Sequence, residues 1–548
     1  MLSENSKEKA EDDNVKDLGK LTQQLDRRSY LKYIAGAAAV IAVAGGYYYL
    51  TTRPKPAPTP PEVVTPVGAT EADRAIDGVK KLIEYGKVPP DAKITILHVG
   101  GSRAQLLLLA PEWERETGIK IELATQPTEG DVFTKAIEEA TTKTGKYDAV
   151  TIFSTWKGDI VEAGLAKELT DYINRYDPGL KPDSPCPPIE PLGTYTTFYK
   201  GKQYALPLDT DVFTLTYRKD LFEEHADHYK SDTGKDLKVP DTWEEVIEIA
   251  KWFTELGLKA PDGEPVYGAM FYAEPLFAAY TGWLPIFVSR GGIFFDPATM
   301  EPKINSPDGI EALNLFVDLV PWMHPEAVTG TWASLYTRYC EGKVVLTAAW
   351  PSLIKWAEDS EVTKGKSGSA LLPGSWVTVA GERKLIKVSP NPVNWIGVVS
   401  NYSKYPELAY AFLQWFMSPT KGAHSISEVG IFDVFRECWF TDPLYKEYFG
   451  TAYTPEALKA FQDSIAVSFP DLMLPKAGTY IDILTKNINA ACAGTKSVEN
   501  ALNDAARAWD EVTDDVGRES QKAAWAAEAK LYPAHVKAIW KEKGYAVE

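Results

Sequence analysis

The chain has 548 residues, of which 45% are hydrophobic and 24% charged, so it is long enough for two or more domain-sized cores and is not a disordered protein. Its formal net charge of -18 at pH 7 argues against nucleic-acid binding, which needs a basic face that displaces counterions from phosphates. The unusual feature is the aromatic content, since 16 Trp and 28 Tyr accompany only 6 His and 4 Cys.

The cysteines give no sign of a metal centre. Cys186, Cys340, Cys438 and Cys492 lie far apart and form no CxxC pair, which argues against metal ligation by thiolates. Spacing alone leaves open whether any two of them form a disulfide. The sequence predicts no metal site and no cofactor.

The N-terminal region has the pattern of an export or anchoring segment. Residues 1–32 are polar and of mixed charge, which predicts a disordered cytoplasmic segment or the n-region of a signal. Residues 33–50 form an uncharged apolar run, long enough for a marginal membrane span or a signal h-region. Arg27 and Arg28 precede it, resemble a twin-arginine export signal and favour an N-terminus that stays inside. No clean small-x-small cleavage site follows the run, so we expect an uncleaved anchor.

A proline-rich linker follows the apolar run. Residues 51–69 carry six prolines, and about fifteen of these residues in extended polyproline geometry would hold the next domain roughly 45 Å from the membrane. Apolar residues at helical spacing then predict one amphipathic helix over 70–86.

The globular part opens with a βα unit. An apolar strand at 93–99, a glycine turn, a helix at 106–116 and a strand at 119–123 predict a parallel sheet. A third strand at 147–153 is followed by Trp156 and Asp159. Because ligands of open α/β sheets bind outside the carboxyl ends of strands, Trp156 is expected to stack on a ligand and Asp159 to accept its hydroxyl hydrogen bonds. The alternative is a Trp that packs the loop and a solvated Asp.

The stretch from 204 to 220 is a poor continuous strand. It is broken by Pro207, passes two carboxylates at Asp209 and Asp211, and then alternates polar and apolar residues from Val212 to Tyr217. This pattern indicates a connector between two α/β halves, with polar groups at the join.

An ordered set of short motifs resembles a known family. Its members are Thr117-Gly118-Ile119, Tyr147-Asp148, Ala205-Leu206-Pro207, Tyr217-Arg218-Lys219-Asp220, Pro240-Asp241-Thr242-Trp243-Glu244-Glu245, Ser306-Pro307, Glu341-Gly342-Lys343, Trp395-Ile396-Gly397 and Pro406-Glu407-Leu408-Ala409. In this order, over about residues 93–520, they resemble the sugar-binding branch of the extracytoplasmic solute-binding proteins of ABC transporters.

The resemblance implies a fold and a domain division. The fold is the α/β, two-lobed class II periplasmic-binding-protein fold, with a hinge and a ligand cleft between the lobes. Lobe 1 is expected at 93–207 and 385–430, and lobe 2 at 208–384 and 431–548. The first hinge crossing falls at about 204–211 and the second near 393–399.

The family pattern and the local chemistry together predict the residues that contact the ligand. They are Trp156, Asp159, Asp209, Asp211, Tyr280, Trp283, Trp350, Trp395 and Arg436. A flat ring packs against the C–H patches of a sugar and a carboxylate accepts hydrogen bonds from its hydroxyls, so the expected ligand is a carbohydrate. A polyamine or another cation is the alternative, because aromatic boxes and acids also hold ammonium groups.

An enzyme is the less favoured interpretation. Asp209 and Asp211 could be a glycosidase pair, but residues two apart on a strand share a face and leave no opposed wall for an attacking water. No nucleophile elbow, phosphate loop or zinc signature is present.

The resemblance also implies the partners. A monomer at the extracellular face, held by its N-terminal span, would dock its closed form on the membrane subunits of an ABC transporter. A sensory receptor in place of the transporter stays open.

Overall fold

The computed structural model describes residues 70–100, 103–176, 181, 184–275, 278–428, 432–449 and 452–547. Across those ranges, every helix is too short or too polar to traverse a bilayer. The predicted anchor at 33–50 and the linker at 51–69 lie outside the described residues.

The strands alternate with helices along most of the chain. In chain order the strands are β1 (Lys93–Val99), β2 (Lys120–Gln126), β3 (Ala149–Phe153), β4 (Phe198–Tyr199), β5 (Lys202–Gln203), β6 (Leu206–Asp209), β7 (Thr214–Arg218), β8 (Tyr267–Ala269), β9 (Val344–Ala349), β10 (Ser367–Ala370), β11 (Ser375–Val379), β12 (Glu382–Ile386), β13 (Ser389–Asn391), β14 (Trp395–Val399) and β15 (Ser468–Pro470).

The helices are concentrated in the C-terminal half. The α-helices are Glu71–Glu84, Arg103–Thr117, Glu129–Thr142, Lys157–Glu162, Thr170–Tyr176, Leu192–Thr197, Lys219–Thr233, Trp243–Glu255, Ala279–Ser289, Pro307–Leu319, Glu326–Thr329, Trp332–Cys340, Ser352–Asp359, Pro406–Phe416, Pro419–Glu428, Glu437–Thr441, Pro443–Phe449, Pro455–Ile465, Ala477–Cys492, Val498–Val516, Arg518–Ala529 and Ala534–Glu542; Ser154–Trp156 and Val320–Trp322 are 3₁₀ turns.

The first lobe is built on a five-stranded sheet with strand order β2-β1-β3-β14-β6. β1 runs parallel to β2 and β3, which confirms the predicted parallel βαβ unit, whereas β14 is antiparallel to both of its neighbours. Side chains alternate across the sheet, so Ile94 and Ile96 join one buried cluster while Leu97 and Val99 join another on the opposite face. Helices therefore cover both faces.

The second lobe is built on a four-stranded sheet with strand order β10-β7-β9-β8. Its single large core combines this sheet with the C-terminal helices, whose Trp509, Trp525 and Trp540 are fully buried there. The helix Trp243–Glu255 starts at Thr242, where Thr242 and Glu245 form a reciprocal capping box. The presence of two α/β lobes confirms the predicted two-lobed fold.

Three segments cross between the lobes. The first joins β6 to β7 through residues 210–213, the second contains β13 and leads into β14, and the third contains β15 and leads into the helix Ala477–Cys492. β13 pairs in parallel with β15, so the second and third crossings are hydrogen-bonded to each other. The hinge is therefore a small sheet of its own and not a set of loose linkers.

The observed division differs from the predicted one after residue 431. Phe435, Trp439 and Phe449 are buried in the first-lobe core, although 431–548 was assigned to lobe 2. A disulfide between Cys186 and Cys438 attaches this segment to the first lobe. The helix Pro455–Ile465 contributes Phe461 and Ile465 to the same core but also packs on β10 and β7 of the second-lobe sheet, so it bridges the two lobes ahead of the third crossing.

The disulfide should contribute measurably to stability. It joins residues separated by 252 positions, and closing so long a loop restricts the unfolded chain, so the Cys186→Ala/Cys438→Ala variant should lose about 2–5 kcal/mol of unfolding free energy. Urea denaturation with and without reductant measures the loss. The control is Cys340→Ala, which removes a free thiol and should keep the wild-type response to reductant. A double variant as stable as the oxidised wild type would contradict this account.

Candidate functional site

A cleft lies between the two lobes and contains about 640 Å³ of empty space, part of it open to solvent. Both lobes and the hinge supply its walls. The lining residues are Glu129, Phe153, Asp209, Asp211, Trp332, Tyr336, Trp350, Ser352, Val393 and Trp395. Four of the predicted contact residues, Asp209, Asp211, Trp350 and Trp395, are among them.

Aromatic rings face the cleft from both lobes. On the first lobe, Trp395 begins β14 opposite Phe153 at the end of β3, and the two ring centroids are 4.6 Å apart. On the second lobe, Trp350 follows β9 and its indole Nε1 donates to the carbonyl of Pro392 at 3.3 Å, which fixes the ring. Flat apolar faces on both walls suit a ligand with two apolar sides.

A second aromatic pair extends the wall of the second lobe. Trp332 and Tyr336, one helical turn apart, pack edge to face with centroids 5.7 Å apart. The Tyr336 hydroxyl lies 3.0 Å from Ser352 Oγ, which also lines the cleft. The helix that carries both rings starts at Trp332, where Thr331 caps it.

Buried carboxylates form the floor of the cleft. Asp209 ends β6 and Asp211 lies in the first crossing, and carboxylate oxygens of these two residues and of Asp433 come within 4.8 Å of one another. The backbone N–H of Asp433 donates to Asp209 Oδ1 at 2.8 Å, and that of Asp211 donates to Asn394 Oδ1 at 2.7 Å. Three carboxylates at this separation are the one group of the described chain that could ligate a metal ion.

Asp433 has its own hydrogen-bond donors. It accepts hydrogen bonds from the backbone N–H of Ser352 at 3.0 Å and from the Tyr453 hydroxyl. Lys355, also buried, donates to the carbonyls of Phe432 and Ile426 and lies over the Tyr453 ring. One buried ammonium group thus stands beside three buried carboxylates.

Burial and the excess of negative charge shift the pKa values of these carboxylates and of Lys355. Burial raises the pKa of Asp209 well above its usual value, and the Asp433 charge adds to it. Burial likewise raises the pKa of Asp211, together with the charges of Asp209 and Asp433. Burial lowers the pKa of Lys355, against the opposing effect of the carboxylates. Charging all three acids in this position is therefore unfavourable unless a further positive charge arrives.

A further carboxylate enters the cleft from the first lobe. Glu129 is the first residue of the helix Glu129–Thr142, whose start is fixed by a capping box between Thr128 and Asp131. Burial raises the pKa of Glu129, opposed by a hydrogen bond from its own backbone N–H. The N-terminus of a helix favours the charged form of such a group.

The hinge behind the cleft is organised by Asp471 on the third crossing. Its carboxylate accepts hydrogen bonds from Thr155 Oγ1 at 2.8 Å and from the Tyr280 hydroxyl at 2.9 Å. It also accepts from the backbone N–H of Val393 at 3.3 Å. Burial raises the pKa of Asp471 to about 6, although these hydrogen bonds oppose the shift. One side chain therefore ties both lobes and the second crossing together.

Three predicted contact residues are buried and have structural partners instead. The Tyr280 hydroxyl binds Asp471, so it belongs to the hinge. Trp283 stacks on Phe287 at 4.3 Å and is fully buried in the second-lobe core. Arg436 is fully buried in an ion pair with Glu71, at 3.0 Å. Their placement in the cleft is corrected, because an apolar helix or an ion pair holds each side chain inside a lobe or the hinge.

Trp156 and Asp159 also lie at the hinge and not among the lining residues. The Trp156 ring stacks on Phe133 at 5.0 Å and on Phe153 at 5.4 Å, and its other side meets Gly478, where a Cβ would come within 2.3 Å of the indole nitrogen. Asp159 accepts a hydrogen bond from the backbone N–H of Lys476 at 3.0 Å. The third crossing covers the end of β3, so these side chains support the cleft from behind.

Six lining residues were not predicted. Phe153 could have been found, because it ends a predicted strand directly before Trp156. Val393 begins the segment predicted as the second crossing. The other four carry no such signal, since their approach to the cleft depends on how the lobes pack. These four are Glu129, Trp332, Tyr336 and Ser352.

Comparisons with known proteins agree with the fold and the cleft. A family model described as bacterial extracellular solute-binding protein matches residues 100–423. A maltotriose-binding protein of Pyrococcus abyssi is 26% identical over 211 residues, which are 38% of this chain and 39% of that protein. A probable ABC transporter-binding protein of Deinococcus radiodurans is 25% identical over 307 residues, 55% of this chain and 65% of that one. The chain thus spans less than two thirds of either relative.

A solved structure extends the similarity to the fold of both lobes. It is an ABC transporter solute-binding protein of Agrobacterium radiobacter in complex with ribitol. The two superpose with a TM-score of 0.64 at 24% identity, over 77% of this chain and all of that one (100%).

Removing the buried ammonium group should destabilise the protein. Lys355→Met leaves three buried carboxylates without their compensating charge and should cost about 3–5 kcal/mol of unfolding free energy. The loss should be smaller at about pH 5 than at about pH 8. The buried acids have higher pKa values in the folded than in the unfolded protein, so they take up protons more readily when folded, and lowering the pH therefore favours the folded state. Urea denaturation at both pH values measures it.

The control for this prediction is Lys364→Met, an exposed lysine in the same lobe, which should change stability by less than about 0.5 kcal/mol. A Lys355 variant that matches this control at both pH values would contradict the account.

Proposed function

Because the chain belongs to the bacterial extracellular solute-binding protein family, we propose that it captures a carbohydrate between its two lobes and delivers it to the membrane subunits of an ABC transporter. The family is one of substrate-binding proteins that work outside the cytoplasm. The Cys186–Cys438 disulfide fits such an oxidising location.

The observation that carries the proposal is the composition of the cleft. Rings from both lobes, Trp395 on one wall and Trp350 on the other, stand over buried carboxylates at Asp209 and Asp211. Sugars present apolar C–H patches to such rings and hydroxyl donors to such acceptors. One relative is a maltotriose-binding protein and one similar structure is a complex with ribitol, and both ligands belong to the same class of polyhydroxylated molecules.

The division of the rings between lobes explains how a ligand would favour closure. A ligand shifts the open–closed equilibrium only by the difference in its affinity for the two states. A sugar that packs on Trp395 alone in the open form gains Trp350, Trp332 and Tyr336 only when the lobes approach. The closed form would then be the one that the transporter binds, with the protein acting as a monomer.

We propose that the protein binds its ligand without chemistry. Asp209 and Asp211 lie together on the floor with Asp433, and their carboxylate oxygens are within 4.8 Å of one another. A glycosidase instead needs two carboxyl groups on opposite sides of the scissile bond.

At the N-terminus, we propose that residues 33–50 anchor the protein at the extracellular face and that 51–69 form a stalk. Membrane fractionation and the intact mass of the purified protein test this, because an uncleaved anchor keeps residues 1–50 and sediments with membranes. A soluble protein that begins after residue 50 would contradict it. Arg27→Lys/Arg28→Lys should block export if the twin-arginine route is used, and leave it unchanged if the arginines only flank a span.

Removing a cleft ring should weaken ligand binding. Trp350→Ala and Trp395→Ala should each lose about 2 kcal/mol of binding free energy, roughly a thirtyfold rise in Kd, because each removes a flat face that covers the ligand. A panel of sugars screened by thermal shift supplies the ligand, and titration calorimetry measures Kd. A sugar at a hundred times its Kd should stabilise the wild type by about 2.7 kcal/mol.

The matched control is Trp376→Ala, which removes an exposed tryptophan on the β11–β12 hairpin and should leave Kd unchanged. If the cleft variants bind as tightly as this control, the ligand lies elsewhere. Chromatography of the sugar after incubation completes the test, because recovery of hydrolysed sugar would replace binding with glycoside hydrolysis.

A further inference from the structure

We propose that the captured carbohydrate carries a protonated amine, and that Asp209 and Asp211 bind this ammonium group at the floor of the cleft. The inference rests on the proposed function, whose ligand class it narrows from carbohydrates in general to amine-bearing ones.

The first observation is the sign of the charge around the ligand. Glu129, Asp209 and Asp211 all line the cleft, and among the residues described there no lysine or arginine does. The hydroxyl groups of a neutral sugar can donate to these acceptors, but they leave the negative charge uncompensated. Three carboxylates around one small space instead suit a ligand that brings its own positive charge.

The second observation is a buried carboxylate oxygen of Asp211 that receives no hydrogen bond. Asp211 is 2% exposed, and its Oδ1 has no hydrogen-bond partner among the described residues, although its backbone N–H and carbonyl are bound by Asn394 and Asn391. A buried carboxylate oxygen without a donor costs free energy comparable to a lost hydrogen bond or more. The Asp211 carboxyl can share a hydrogen bond with Asp209 or Asp433 only while one of these acids holds a proton. With the acids charged the position lacks a donor, and an ammonium group offers three.

The surrounding rings favour an organic cation. Trp350, Tyr336 and Trp395 line the same cleft as the carboxylates. Aromatic faces attract cations through their quadrupole, most strongly where water is excluded. They also cover the apolar carbons next to an amine, so rings and acids together match an amine on a carbon skeleton.

A bare metal ion fits this site less well. The third carboxylate of the group, Asp433, does not line the cleft and is already held by Ser352, Tyr453 and the neighbouring Lys355. Hard cations such as Ca²⁺ take about 6–8 oxygen ligands, and the rings of the cleft supply none. Two carboxylates that face a space of about 640 Å³ suit one end of a larger molecule.

The titration of the acids agrees with this geometry. Burial and mutual repulsion raise the pKa of both Asp209 and Asp211, so without ligand the pair tends to hold protons. An ammonium group placed between them would favour the charged forms and replace those protons. Neutral hydroxyl groups cannot supply that charge.

Matched pairs of sugars that differ only at one position test the inference. The probes are glucose, glucosamine and N-acetylglucosamine, the galactose series, and chitobiose with its deacetylated form, with putrescine as an amine without a sugar and CaCl₂ as a metal ion. We expect each bound amine to bind about tenfold tighter or better than its hydroxyl and N-acetyl partners, the gain of one charge-assisted contact. Calorimetry of the full-length protein measures each Kd.

Variants then locate the effect. Asp211→Asn keeps the shape but removes the charge, and should abolish the preference for the amine while hydroxyl sugars bind as before or better; Asp209→Asn should act alike. Asp482→Asn, an exposed carboxylate paired with Lys486, is the control and should keep the preference.

Each outcome separates the two proposals. Equal binding of amine and hydroxyl partners, or an undiminished preference in both cleft variants, overturns the ammonium site and leaves carbohydrate capture standing. Binding of putrescine but of no sugar supports the ammonium site and overturns carbohydrate capture. Binding of CaCl₂ that is lost in Asp211→Asn replaces the ammonium with a metal ion, and a protein that binds none of these probes overturns both.

Discussion

The geometry of the cleft depends on one buried carboxylate at the hinge. Asp471 accepts hydrogen bonds from Thr155 of the first lobe, Tyr280 of the second and Val393 of the second crossing, while itself lying on the third. Val393 has φ +57°, a left-handed conformation that is costly for a β-branched residue, by about 1–3 kcal/mol. It persists because Asp471 holds its N–H, and it lets the chain turn from β13 into β14, so that Trp395 enters the cleft.

The same constraint explains why the cleft floor is acidic. A hinge between two sheets has strand ends on both sides, and Asp209 ends β6 at the first crossing while Asp433 approaches from the segment that follows the first-lobe helices. These carboxylates meet because the first crossing passes beside the first-lobe segment that carries Asp433, and Lys355 compensates only part of their charge. Such an arrangement is unfavourable for stability alone. The free-energy cost of burying these carboxylates is understandable at a binding site, because the ligand then supplies the hydrogen bonds and charge that the folded protein lacks.

Local sequence patterns predicted the parts of this molecule that local physics determines. Apolar runs and helical periodicity predicted the first three strands of the first lobe and the helix between the first two, and Pro207 with two acids indicated the first crossing. Aromatic residues were harder to assign, because a tryptophan at the end of a strand looks the same whether it packs inward or faces a cleft. Trp350 and Trp395 face the ligand space, while Trp283 is buried against Phe287. Only the packing of complete lobes separates these cases.

Long-range partners account for the remaining errors. Arg436 has the charge and the hydrogen-bond donors expected of a ligand-binding residue. Inside the first lobe, however, its charge is neutralised by Glu71, which is 365 positions away in sequence. The Cys186–Cys438 disulfide holds the same segment there, across a separation of 252 residues. A buried arginine without an ion-pair partner would need a negatively charged group of the cleft or of the ligand. Arg436 already has its partner inside the first lobe, so it contributes to the packing behind the cleft. The first-lobe core thus includes the segment that follows the return strand as far as Tyr453, and this packing places Asp433 beside the two carboxylates that face the ligand.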